Sequence, residues 1–296
     1  MDATAGHHTL ATAIYQTGYG DDYALAANVY AGIVEATRIW HREEGIPFDP
    51  RGDGEVFSRY PSSFRTVASA QNDHQLHFPE PNIWIKGTGV YHEYGHILHM
   101  RAWDGTTGAC GHCPGGDYGR DGDSTWSATS REYPNSAFAE GWANYVRWVT
   151  ASWPEQSCRA IDDNADSEIC NADVHEFPDA SDAVTYPNDG KAYARNVTKL
   201  LCDWYDDGVH NDDDPNMRGR GDHFSASFFS VWYNLEETWD WTGGASGLQV
   251  CDYIDYYVYG RKGPAAVGLS THEAYERSVA DLAHNNGLKC GLPTPD

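Results

Sequence analysis

From Asp21 onward, apolar side chains recur at helical spacing. Tyr23, Ala27, Tyr30, Val34, Thr37 and Trp40 predict a long helix over 21–44, opened by Asp21-Asp22 and closed by Gly45 and Pro47. The pattern then turns to strands: Glu55–Tyr60, Phe64–Ala70 and Asn82–Lys86, broken by Pro61, Pro79 and Pro81. Gly87 and Gly89 lead into a second helix over 89–103. Residues 104–132 are rich in Gly, Asp, Ser and Cys and predict a long ordered loop. A third helix starts near Asn135 or Ser136 and stops before Pro154, and 155–188 is again irregular. Further helices are predicted over 190–207, 223–240, 248–259 and 271–286, with Ser270-x-x-Glu273 as a capping box for the last. The first half is thus α+β and the second α. That asymmetry predicts one domain over 1–296 with two lobes and a cleft between them: an N-terminal lobe of about 1–104, an inserted loop of about 105–132 and a helical lobe of about 133–296.

Composition narrows the function classes. A chain of 296 residues can bury a sizeable core, and no stretch approaches the about 18 uninterrupted apolar residues of a membrane-spanning helix. The 44 acidic against 20 basic residues give a net charge of −24. Such a chain does not track a phosphate backbone and is repelled by anionic lipid, so nucleic-acid and membrane partners are not expected. An aromatic content of 13% argues against a disordered acidic chain.

The seven cysteines are too few for a disulfide scaffold but many for a cytosolic enzyme. With the acidity, they predict a secreted protein with most cysteines oxidised and one left over; reduced thiols in the cytosol are the alternative. Met1-Asp2-Ala3-Thr4 has none of the character of a signal peptide and reads as a mature form with an added initiator Met. Cys158–Cys170 is the first choice of pair. Cys110-Gly111-His112-Cys113 has redox spacing but lacks the strand-then-helix setting, so a structural role is expected.

The chemistry concentrates in the helix at 89–103, which contains His92-Glu93-x-x-His96. Two histidines at i and i+4 share one helix face and can reach one metal ion. Glu93, one residue on, can address a water at that metal without ligating it, as a general base must. The plain alternative is two surface histidines on an amphipathic helix. The preceding strand, Ile83-Trp84-Ile85, offers an edge on which an extended peptide can be held. A zinc site of this kind needs a third protein ligand. A third histidine ten residues after the first is excluded, because that position is Ala102 and the glycine such a motif needs is His99. A carboxylate on a later helix fits: Glu140 stands in the apolar run Ala137-Phe138-Ala139-Glu140-Gly141-Trp142-Ala143, where an unpaired charge is costly. Gly141 and Ala143 allow close helix packing. Asn144, one turn on, can accept the free ring N–H of a ligating histidine.

His92-Glu93-Tyr94-Gly95-His96 followed by Glu140-Gly141-Trp142-Ala143-Asn144 resembles the gluzincins, zincin-fold zinc metallopeptidases whose third ligand is a glutamate on a downstream helix. The resemblance implies a zincin-like two-lobed α+β fold, a Zn²⁺ held by His92, His96 and Glu140, Glu93 as base, and a peptide or protein substrate. Many members have an aspartate where this chain has Asn144. Residues 196–207 are more weakly similar to a helix of secreted bacterial members. The resemblance also implies an oxyanion-stabilising His or Tyr beyond residue 150. The candidates are His175, Tyr186, Tyr193, His210 and His223, with His223 first and Tyr193 second; Asp222 would cap the helix that His223 opens.

Two other features are weighed against plain readings. The acidic stretch 206–216 offers hard oxygen ligands for Ca²⁺, but its spacing is not that of an EF-hand, and a solvated turn explains it as well. His99 lies two turns beyond His92, too far to share its metal, and reads as a packed or surface residue. The expectation is a secreted zinc metallopeptidase. The rivals are a hydrolase of the same fold acting on a glycan or other polymer, and a non-catalytic zinc-containing binding module, against which an intact Glu93 argues.

Overall fold

The computed structural model describes residues 20–46, 56–60, 62, 69–72, 75–79, 88–105, 133–153, 190–205, 227–244, 247–260, 272–285, 287–288 and 290–291. Its elements are α1 (Gly20–Thr37), β1 (Phe57–Arg59), β2 (Ser69–Asn72), β3 (Gln75–His77), α2 (Gly89–Ala102), α3 (Pro134–Ser152), α4 (Ala194–Tyr205), α5 (Phe228–Trp241), α6 (Val250–Asp255) and α7 (His272–Asn285). π-Helical turns extend α1 over Arg38–Glu43 and α6 over Tyr256–Gly260. The architecture is mostly helical with a small mixed sheet, in keeping with an α+β class.

The sheet runs in the order β1-β3-β2. β1 pairs parallel to β3, with Ser58 opposite Leu76, and β2 pairs antiparallel to β3, with a register irregularity between Ala70 and Asn72. The sequence pattern missed β3 and ended the second strand at Ala70. Three-residue strands are too short to display a period of two, and the polar residues of 71–75 read as a connection. The strand expected at Asn82–Lys86 lies outside the described residues.

α1 forms where expected and Trp40 of the expected stripe is buried, but ahead of it another face is in the core. Leu25, Val29, Ile33 and Ala36 are in the core, whereas Tyr30 is 41% exposed. Two stripes of helical period compete along this segment; the aliphatic one is buried, and the Tyr/Ala one keeps its hydroxyl in water. Gly32 takes the crossing with α2, where a Cβ would stand 2.9 Å from Val90 Cγ1. The π-turn adds a polar tie. Ile46 O accepts from His41 Nδ1 at 2.8 Å, so in the neutral ring Nε2 accepts from the Tyr94 hydroxyl, also at 2.8 Å.

α2 is the central element: every residue except Tyr91 and His96 is buried. α1, α3, α5 and the sheet surround it. Trp232 Nε1 donates to Leu98 O and Trp103 Nε1 to Leu235 O, so two indoles fasten its C-terminal half to α5. α5 is capped by Ser227, whose Oγ accepts from Ser230 N, and not by Asp222 as the sequence suggested. The cap falls five residues later because α5 begins at Phe228, which packs against Trp40 with ring centroids 3.7 Å apart. A capping box forms at Gln249 and Asp252 ahead of α6; the one expected at Ser270 lies outside the described residues. Cys251–Cys290 is a disulfide and Cys202 is also disulfide-bonded, while Cys158–Cys170 and the Cys110/Cys113 pair lie outside the described residues. No described helix is long and apolar enough to cross a membrane.

Candidate metal centre

The site is built where α2 and α3 pack at unusually short range. A Cβ on Gly95 would stand 2.8 Å from Ala143 Cα, and one on Gly141 would stand 2.5 Å from Val197 Cβ on α4. Glycine at both positions removes the side chain that would hold the three helices apart. Trp142 Nε1 donates to Gly95 O at 3.0 Å, and Thr198 Oγ1 donates to Gly141 O at 3.0 Å. These ties connect each helix to the next at the level of the site.

One stripe of α3 then meets α2 in reverse order. Glu140 faces His92 and His96, Asn144 faces His92, and Arg147 Nε donates to Thr88 Oγ1 ahead of the first turn of α2. Positions 140, 144 and 147 are the i, i+4, i+7 set of a single face, and the reversed order makes the two helices antiparallel.

His92 Nε2 lies 3.2 Å and His96 Nε2 3.6 Å from the same atom, Glu140 Oε2, and the two rings stand 88° to each other. Ligand atoms of the three side chains all fall within 4.8 Å of one another, and this is the one such group of three or more His, Cys, Asp or Glu among the described residues. Exposure falls from 19% at the Glu140 side chain to 12% at His96 and 6% at His92.

The hydrogen bonding of His92 bears on what the group holds. Nδ1 is 2.9 Å from Asn144 Oδ1, so it carries the ring proton. With Nδ1 occupied in that bond, Nε2 is the nitrogen left to offer a lone pair to a cation lying between it and the carboxylate oxygen. The two histidine nitrogens and the carboxylate oxygen therefore fit a divalent metal ion. Asn144, itself 3% exposed, is the partner that fixes the tautomer in which Nε2 is free to ligate.

Electrostatics bind the group together. Burial raises the Glu140 carboxyl, but the charges and hydrogen bonds of His96 and His92 outweigh it and hold it well below the usual carboxylate range. Burial lowers His96, yet the Glu140 carboxylate overcomes that and raises it. Glu93 behaves differently. It is 7% exposed, and its burial pushes the carboxyl up against the pull of His92 and His96. A backbone hydrogen bond with Ala70 works with the histidines against that rise without cancelling it. Nothing in the sequence pattern pointed to Ala70, because a main-chain donor has no residue signature. Arg147 could have been found from its helical spacing to Glu140.

The structure thus brings together His92, His96, Glu140, Asn144 and Glu93 as the sequence predicts. Tyr193, 8% exposed, immediately precedes α4, whose first residue, Ala194, places its carbonyl 2.7 Å from a Cβ built on Gly141. That puts Tyr193 near the α3 turn bearing Glu140. His223, His175, Tyr186, His210 and the acidic stretch 206–216 lie outside the described residues. His99 is fully buried beside Trp103, Phe138 and Trp142. No family model, no curated protein and no solved structure matches this chain.

Proposed function

We propose that this chain is a zinc metallopeptidase of gluzincin type, with Zn²⁺ held by His92, His96 and Glu140. The observation that carries the reading is the convergence of those three side chains on one point, with His92 Nδ1 tied back by Asn144. The spacing is compatible with zinc. Two atoms each about 2.0–2.1 Å from a tetrahedral ion stand about 3.3 Å apart, and the separations of 3.2 and 3.6 Å bracket that value. A zinc ion held by His92, His96 and Glu140 would supply Lewis acidity and a water made nucleophilic near neutral pH.

The chain's own residues do the rest. Glu93 is buried next to both histidines, and a general base in that place takes the proton of the attacking water and passes it to the leaving amine. Among the described strands β2 lies at an edge of the sheet, and its Ala70 main chain reaches Glu93. An extended polypeptide can pair with such an edge and bring its scissile carbonyl to the metal, which favours a peptide substrate over a glycan. His223 and then Tyr193 are the proposed donors to the developing oxyanion. The two-lobed zincin arrangement and secretion belong to the same proposal; the disulfides at Cys251–Cys290 and Cys202 support the latter.

Incubation with an unfolded protein substrate, with and without a chelator, tests the reading. Cleavage that a chelator abolishes and added Zn²⁺ restores is the expected result. No cleavage under either condition by a zinc-loaded chain contradicts peptidase activity.

A further inference from the structure

No Lys, Arg or His occurs between His223 and Arg261, a stretch that includes α5, α6 and the π-turn after it. Among the described residues, six large hydrophobic side chains are exposed, all of them aromatic, and four of the six lie in that stretch: Phe229, Tyr233, Trp241 and Tyr259. We propose that the outer face of α5 is a docking surface for an arginine-bearing basic polypeptide, whose guanidinium groups stack on Phe229 and Tyr233 and pair with Glu236 and Asp240. The inference is independent of the metal-site reading above.

Phe229, Tyr233, Glu236 and Asp240 stand at i, i+4, i+7 and i+11 and form one stripe along the helix. Phe228, Val231, Trp232 and Leu235 are buried on the other side. The two exposed rings lie 6.0 Å apart between centroids and 13° from parallel, so they present one nearly continuous aromatic surface. Carboxylates frame it at both ends. Glu44 accepts a hydrogen bond from the backbone of Phe229 at the start of α5. At the far end, Asp104 is held by Trp239 Nε1, which donates to its Oδ2 at 3.2 Å. Between them Glu236 is pushed up, first by burial and then by Asp240, Glu237 and Asp104, so every charge acting on it is another carboxylate.

The face therefore has anions and ring faces but no cation of its own, and a cation satisfies both: it pairs with the carboxylates and is drawn to the rings. A guanidinium suits this surface better than an ammonium, because it is planar, weakly hydrated and able to fork onto a carboxylate. A single metal ion does not suit it. Among the described residues, only His92, His96 and Glu140 bring three such ligand atoms within 4.8 Å of one another. From Phe229 to Asp240 the stripe runs about 16 Å along the helix axis, at about 1.5 Å per residue. An extended segment of about five residues covers that length, so the charge is met by several side chains of one polypeptide.

Fluorescence anisotropy of a dye-labelled hexa-arginine peptide tests the inference, with the full chain carrying Glu93→Gln so that the peptide is not turned over. Saturable binding that weakens as salt rises is expected, with hexa-lysine bound less tightly. None of the four stripe residues is in the core, so their substitution removes no core packing. Phe229→Ser with Tyr233→Ser leaves the net charge unchanged and should weaken hexa-arginine binding about tenfold. Glu236→Gln with Asp240→Asn keeps the rings and should weaken it by about the same factor. No saturable binding overturns the proposal. So does full affinity in the ring variant, which would leave net charge as the sole source of binding, and so does full affinity in the carboxylate variant.

Discussion

Helix α2 carries three buried or nearly buried histidines with opposite fates. His92 and His96 face α3 and meet a carboxylate, an amide and, through Thr88, an arginine. His99, one turn beyond His96, faces aromatic rings: Trp103 at 4.2 Å, Phe138 at 5.6 Å and Trp142 at 6.1 Å between centroids. Neither nitrogen of His99 has a hydrogen-bond partner, and burial holds it well below its ordinary value of 6.5. The helix and the residue type are the same. All three meet α3, and the difference lies in what that helix supplies at each level: Glu140 and Asn144 at His92 and His96, the rings of Phe138 and Trp142 at His99. A histidine is fit to ligate when its near nitrogen is aimed at an anion, as in His92 and His96, and the more so when its far nitrogen is oriented, as Asn144 orients that of His92.

The largest effect expected at the His92–His96 end of the stripe is chemical. Glu93→Gln keeps the shape but cannot take a proton. Turnover of an unfolded protein should fall at least about 10²-fold while zinc content, measured by metal analysis, stays at one per chain. Turnover at the wild-type rate would remove Glu93 from the mechanism.

A stability test comes next. Gly141→Ala places a methyl group 2.5 Å from Val197 Cβ and 2.7 Å from a backbone carbonyl, which is overpacking against α4 with little room to yield. Denaturant unfolding should show a loss of about 1–3 kcal/mol. Because α3 also carries Glu140, zinc affinity in a chelator competition should weaken in the same variant. A variant as stable as the wild type would mean that the close approach does not hold the ligands.

The smallest effect belongs to His99. The unfolded chain takes up a proton near pH 6.5 that the buried ring refuses. The stability linked to His99 is therefore complete above that pH and declines as pH falls, by at most about 1.4 kcal/mol per pH unit. His99→Phe keeps an aromatic ring in the cage and abolishes this term. The variant should be close to the wild type near neutral pH and should gain on it progressively in acid, with zinc binding preserved. Parallel pH profiles of unfolding free energy, or lost zinc, would erase the contrast between His99 and the other two histidines.

How far these features could be read from the sequence follows their physical origin. The cluster of His92, His96 and Glu140 that could hold a metal ion was legible because metal chemistry demands particular side chains at fixed helical intervals, and His92-Glu93-x-x-His96 with Glu140 and Asn144 meets that demand. The existence of α1, α2 and α3 was legible from period and from Gly and Pro boundaries. The buried face of α1 was not, because Leu25-Val29-Ile33 and Tyr23-Ala27-Tyr30 have the same period and tertiary packing chooses between them. β3 was hidden by its length, and the contact between Ala70 and Glu93 by being a backbone contact. The Ser227 cap was masked by Asp222, an equally good capping residue five positions earlier.

The central claim is the metal centre itself, and anomalous scattering at the zinc edge from crystals of the zinc-loaded chain tests it most directly. The account predicts a single strong peak per chain within bonding distance, about 2.0–2.2 Å, of His92 Nε2, His96 Nε2 and a Glu140 carboxylate oxygen. A peak elsewhere, or density in which Glu140 turns away from the metal, would contradict it.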